Sequence, residues 1–134
     1  MKKDIDIPEV KNVTLAVARE KTLFDTYDWK VYLINNNPFA LENTLVASKG
    51  YGEKDGEQQK TSTLRHFLET VPARSTALIE PIHENVFHLN NEYWVSYYVG
   101  KTIHDKRFVF VPDSLREENI TFIKELEREG VLHS

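Results

Sequence analysis

Glu92-Tyr-Trp-Val-Ser-Tyr-Tyr-Val-Gly-Lys-Thr-Ile-His-Asp-Lys-Arg-Phe-Val-Phe-Val-Pro112 reads as two aromatic, β-branched strands joined at Gly100-Lys101. A two-residue type II′ turn there pairs Val99 with Thr102, Tyr97 with His104, Trp94 with Arg107 and Tyr93 with Phe108. Side chains alternate along a strand, so two faces follow. One gathers Tyr93, Val95, Tyr97 and Val99 with Phe108 and Phe110, and is the more apolar and therefore the expected core face. The other gathers Trp94, Ser96 and Tyr98 with Ile103, Asp105, Arg107 and Val109. Trp94 and Tyr98 stand about 13 Å apart on it at roughly 3.4 Å per residue, with Arg107 opposite Trp94.

Outward from this hairpin, the chain keeps the same punctuation. Val13-Thr-Leu-Ala-Val-Ala18 and Trp29-Lys-Val-Tyr-Leu-Ile34 suit strands, the second closed by Asn35-Asn-Asn-Pro38. Leu41 to Ser48 is extended again. Lys49 to Lys60 then concentrates three glycines and six charges and reads as a mobile loop. Thr61 to Leu68 and Ser75 to Ile79 supply further strands, and Asn85 to Asn91 a connector. A strand every 10–15 residues or so with turn signals between predicts an all-β, mainly antiparallel sandwich of immunoglobulin or fibronectin type. It would have about seven strands in one domain, the sandwich spanning 9–112.

The tail, 114–130, predicts a C-terminal helix. Ile120, Ile123 and Leu126 recur at three-residue spacing, Phe122 adds a second line, and Gly130 supplies a stop. Its start is either Asn119 or the capping-box pattern Ser114-Leu-Arg-Glu117. Such a helix would cover one sheet face, and the face of Trp94 and Tyr98 is the one unassigned, with Arg107 then in a cation–π contact.

The 134 residues suit a single core, 40% being hydrophobic and 28% charged, with 7 Phe, 6 Tyr and 2 Trp. The net charge of −4 removes the overall field that gathers phosphate backbones, which disfavours nucleic acid as a partner. Basic and acidic residues balance in 1–67, and the acidic excess lies in 68–134. With no cysteine there is no disulfide, thiol nucleophile or Cys-ligated metal. The start Met1-Lys-Lys-Asp-Ile-Asp-Ile-Pro8 has no apolar stretch behind its lysines, and no window approaches the ~20 apolar residues of a spanning helix. The expectation is a cytoplasmic protein with no membrane partner.

Catalytic and metal signatures are weak. His83 and His88 are five apart, on opposite faces of any strand, and no H-E-x-x-H motif accompanies them. His104 and Asp105 are adjacent and point apart. There is no G-x-S-x-G elbow, and Gly50-Tyr-Gly52 lacks the lysine of a phosphate loop. The carboxylates Glu117-Glu118 and Glu125/Glu129 read as a solvated helix face. Glu80, His83 and His88 remain the candidates for a site assembled from scattered residues. No cofactor, metal ligand or catalytic residue is expected.

The segments Asp4-Ile-Asp-Ile-Pro-Glu-Val10, Trp29-Lys-Val-Tyr-Leu-Ile-Asn35, Lys60-Thr-Ser-Thr-Leu-Arg-His66, Asp105-Lys-Arg-Phe-Val-Phe110 and Gly130-Val-Leu132 resemble a family of short uncharacterised bacterial proteins over nearly the whole chain. Some members carry an automatic label of phenylalanyl-tRNA synthetase. The catalytic core of such an enzyme resembles a much larger domain with an F-R-x-E loop, whereas here Arg107 precedes Phe108. The resemblance carries over no activity, and the label alone adds a further alternative, an accessory role in tRNA aminoacylation.

The residues themselves point to a noncatalytic protein-interaction module with an unidentified protein partner, using the 49–60 and 92–112 segments. The alternative is a small-ligand or carbohydrate platform of Trp94, Tyr98 and Arg107. A homodimer through a sheet edge is compatible with either.

Overall fold

A computed structural model of the chain describes residues 8–134; most of the polar lead-in, 1–7, lies outside them. The structure is all-β and mainly antiparallel. Its ten strands are β1 (Val13–Lys21), β2 (Tyr27–Asn35), β3 (Leu41–Lys54), β4 (Glu57–Lys60), β5 (Leu64–Val71), β6 (Ser75–Ile82), β7 (Asn90–Val99), β8 (Thr102–Phe110), β9 (Thr121–Ile123) and β10 (Arg128–His133). They form two five-stranded sheets. The first has the order β6-β2-β1-β10-β9; the second runs β4-β3-β7-β8, with β5 also paired to β3.

The β7–β8 hairpin has the register its turn dictates, from Val99↔Thr102 through Trp94↔Arg107 to Tyr93↔Phe108. Gly100 has φ +61° while Lys101 does not share it, the signature of a type II′ turn. Its apolar face is the core, where Tyr93, Val95, Tyr97, Phe108 and Phe110 meet Leu15, Val17, Trp29, Val31 and Leu33 of the opposite sheet. Burial of this kind is worth roughly 25 cal/mol per Å² of apolar surface and holds the sheets together.

Two expectations are corrected. Residues 49–60 are not a loop: β3 continues to Lys54, turns at Asp55-Gly56 and returns as β4, with Tyr51↔Lys60 and Lys54↔Glu57 paired. Nor do residues 114–130 form a helix. After a single 3₁₀ turn at Glu117–Asn119 they build β9, a tight turn with Glu127 at φ +52°, and the start of β10, which pairs with β1. The sandwich thus has ten strands rather than about seven, and its sequence runs to the end of the chain.

The reason lies in β1. Because β10 and β2 flank it and both faces of its middle are covered, Leu15 to Ala18 is continuously apolar rather than alternating. Ala16 and Ala18 point away from the core and form a shallow floor with Tyr32 and Ile34, onto which Ile123 and Leu126 fold. Gly130, opposite Ala18, lets this strap lie flat. A Cβ there would run into the Val17 carbonyl and come 2.7 Å from the Ala18 Cα and 3.0 Å from Ile123 Cδ1. The three-residue apolar spacing read as a helix stripe is therefore a strand and turn wrapped over an alanine floor. Arg19 anchors the approach to it, with two hydrogen bonds to Glu117 (2.8 and 2.9 Å), a contact to Glu129 (3.0 Å) and its guanidinium 4.2 Å over the Tyr27 ring.

Candidate functional site: the bare face of the second sheet

Among the described residues no helix covers the second sheet, and the outer face of β5, β3, β7 and β8 lies open. Pairing fixes what stands on it. Arg65, Ala47, Trp94 and Arg107 form one row across four strands, and Phe67, Leu45, Ser96 and Asp105 the next. Glu42, Tyr98 and Ile103 lie beyond the second row toward the Gly100 turn, and Lys49, Glu92 and Val109 beyond the first. Five large apolar side chains are exposed there: Phe67 by 61%, Ile103 by 46%, Trp94 by 45%, Leu45 by 41% and Tyr98 by 37%.

Arg107 does not stack on Trp94 as a covering helix would have required. Its guanidinium reaches Glu92 at 3.4 Å, and Glu92 also receives the Tyr51 hydroxyl at 3.1 Å and stands 3.7 Å from Lys49. Burial, and then the adjoining Glu92 carboxylate, push the Tyr51 hydroxyl above its ordinary pKa, so it remains a donor. The acid is held down in the sheet and the two cations stand above it. Around Trp94 the surface is basic, with Arg65, Arg107 and Lys49, whereas the end near the Gly100 turn carries Glu42 and Asp105. Asp105 takes the Ser96 hydroxyl within its own row.

Trp94, Tyr98 and Arg107 are thus together on one open face. Leu45, Ala47, Arg65 and Phe67 share it, although sequence reading singled out none of them. The available signal was parity: once Thr61 to Leu68 is a strand paired with β3, Arg65 and Phe67 must point the same way as Leu45 and Ala47.

Of the scattered catalytic set, Glu80 and His83 line one small cleft while His88 lies apart from it, and each is engaged with different partners. His83 caps the 3₁₀ turn Glu84–Val86 by accepting from the Asn85 N–H, and His88 bonds Gln59. Glu80 instead faces inward, because a bulge opposite Val31/Tyr32 flips the parity of β6. One of its oxygens takes both the Ser48 hydroxyl and His66 Nε2 at 2.7 Å, and the other takes the Tyr93 hydroxyl at 3.1 Å. Burial, with Glu80 adding to it, pushes the Tyr93 hydroxyl far above its ordinary value. Ser48 is buried and donates to a carboxylate rather than to an imidazole, so the arrangement is a clamp between the two sheets and not a nucleophile with its base.

The cleft of about 250 Å³ beside this clamp is lined by groups already engaged with one another. A larger hollow of about 860 Å³ lies at the end of β2 near Tyr27, Trp29, His83 and Glu84, where the Trp29 indole N–H is taken by Glu84 at 2.8 Å. His104 stacks on Tyr97 at 5.1 Å with the planes 4° apart, pointing to the core side as parity requires. Among the described residues no group of three or more His, Asp or Glu side chains is placed to hold a metal ion, and no helix is long and apolar enough to cross a membrane.

No protein-family model matches this chain. Neither a curated protein nor a solved structure matches it significantly either.

Proposed function

We propose that this chain is a noncatalytic protein-interaction module that meets its partner through the outer face of β5, β3, β7 and β8. The observation that carries the reading is the cluster of five exposed apolar side chains on one uncovered sheet face, ringed by Arg65, Arg107, Lys49, Glu42 and Asp105. An apolar, aromatic centre with a charged rim is the composition of a protein interface, and aromatic residues with Arg are where binding energy concentrates.

The scaffold reading is a sandwich of immunoglobulin or fibronectin type. Setting aside β4, β9 and β10, the first, second and fifth of the remaining strands share one sheet, and the third, sixth and seventh the other, as in that fold. The fourth, β5, lies beside the third, as an added C′ strand does. Fold alone carries no partner.

The test is affinity capture with three baits: the unmodified chain, a Phe67→Ser/Trp94→Ser variant, and Leu132→Ser on the other sheet. A protein held by the first and third baits but lost by the second supports the reading. An identical set on all three overturns it.

A second reading, a carbohydrate or other small-ligand platform, is favoured by the Arg65–Ala47–Trp94–Arg107 row, where small Ala47 leaves room beside the indole. Saccharide-induced changes in Trp94 emission, without any change in the mass of the protein species, would point to it.

A further inference from the structure

Resting on the reading that this face docks a protein, we propose that the partner is a second copy of the chain. The two sheets pack face to face about a two-fold axis that runs across the strands between the Trp94 and Ser96 rows. Such an axis lays each strand over its own counterpart in the opposite direction and exchanges the rows, the two middle ones with each other and the two outer ones with each other. An isologous contact must be self-complementary under that exchange, and this face is.

The charges match first. Asp105 of one copy falls over Arg107 of the other, and Glu42 over Lys49, each pair occurring twice by symmetry. No like charges are brought together. The apolar groups match as well: Ile103 falls over Val109 and Leu45 over Ala47, while the bulk of Trp94 meets the small Ser96. In the β5 column the Phe67 ring lies under the Arg65 guanidinium of the other copy, a cation–π arrangement. The Tyr98 hydroxyl faces Glu92.

Other ways of joining two copies are less consistent. A two-fold axis along the strands between β3 and β7 would set Arg65 against Arg107. Pairing through the free edge of β8 with Asp105 opposite Arg107 would set Lys106 against itself. Lys106 also points to the core side, its ammonium 4.9 Å over the Phe108 ring, and an inward-pointing charge is a common guard on an edge strand.

Size is adequate. Four strands at about 4.8 Å and seven residues at about 3.4 Å give a footprint of roughly 19 by 24 Å, about 450 Å² in projection. The long side chains of Arg65, Arg107 and Lys49 standing above the sheet extend it toward the roughly 800 Å² per partner of a standard interface.

Sedimentation equilibrium from micromolar to near-millimolar concentration tests the proposal, using Glu42→Lys, Lys49→Glu and the double exchange. Both residues lie on β3, an interior strand, so edge pairing cannot bring them together. The unmodified chain is expected to dimerise. Each single variant is expected to weaken the dimer at least about ten-fold, and the double exchange to restore it, since ΔΔG of 1.4 kcal/mol per ten-fold is within reach of two repulsive contacts. Thermal unfolding of each variant checks that the fold is retained.

A dimer indifferent to all three variants overturns the proposal by placing the contact elsewhere. A monomer throughout the range also overturns it. Neutral quenching of Trp94 in that monomer then separates the two claims: strong quenching leaves the docking face standing for a different partner, and weak quenching removes both.

Discussion

The two outer faces of the sandwich begin from similar chemistry and end differently. On the first sheet Ala16, Ala18, Tyr32 and Ile34 are buried beneath Ile123 of β9 and Leu126 of the turn into β10, so the chain covers the middle of that face itself and leaves Leu78 and Leu132 exposed beside it. On the second, Leu45, Phe67, Trp94, Tyr98 and Ile103 are left in the open. The covered face has Ala16 and Ala18 at its centre, with Gly130 of β10 opposite Ala18, which admits the strap at close range; the open one carries large side chains that leave no such trough. Where the chain covers a surface itself, two alanines beside Tyr32 and Ile34 make room for the cover. Where it does not, five large apolar side chains stand together in the open, and that cluster is the argument for an external partner.

The strongest way to break the contrast is to uncover the covered face. Ile123→Ala should cost about 2–5 kcal/mol in chemical denaturation, the range for a fully buried Ile truncated to Ala. It should raise hydrogen exchange in β9 and β10 ahead of β7 and β8. If exchange rises uniformly, the strap is not a separate cover. Gly130→Ala should cost about 1–3 kcal/mol by overpacking against the backbone of Val17 and Ala18, and a variant as stable as the parent would mean the close approach is absent.

Acid should act on the same cover. Arg19 holds the Glu117 carboxyl below its ordinary 4.5, and the Asn36 amide does the same for Glu125. A depressed folded-state value means that stability is present above the ordinary carboxylate pKa and is lost as pH falls through the lower folded value. The strap should therefore loosen first below about pH 4.5, read as earlier exchange in 121–133 than in 90–110. Arg19→Met should flatten the Glu117 part of that dependence.

The smallest stability effect belongs to the open face. Phe67→Ser and Trp94→Ser should each change unfolding free energy by no more than about 0.5–1 kcal/mol when the protein is dilute, as surface substitutions do. A loss as large as that of Ile123→Ala would show the open face to be packed against something.

The same contrast explains what sequence could convey. The β7–β8 pairing and its two faces were legible because a two-residue Gly100 turn fixes the phase of every later side chain. Trp94, Tyr98 and Arg107 followed from parity alone. The β3–β4 hairpin is hard to see in the sequence, since β4 is exposed throughout and its charged, glycine-rich strands show no alternation; Asp55-Gly56, a strong hairpin pair, is its one local signal. The strap mimicked a helix because apolar residues three apart mark a turn over a flat floor as well as one helical face. Glu80 escaped because a bulge reverses parity, and nothing in the residues around Ile79 announces it.

The central claim, that the second sheet presents a bare aromatic face on a single copy of the chain, is tested most directly by acrylamide quenching of Trp94. A Trp29→Phe background leaves Trp94 as the sole indole, and a neutral quencher avoids bias from Arg65 and Arg107. Quenching well above that of a core tryptophan at the highest dilution, as a half-exposed indole gives, and falling as concentration rises, is the predicted result. Protection equal to that of a core tryptophan at every dilution would contradict the account.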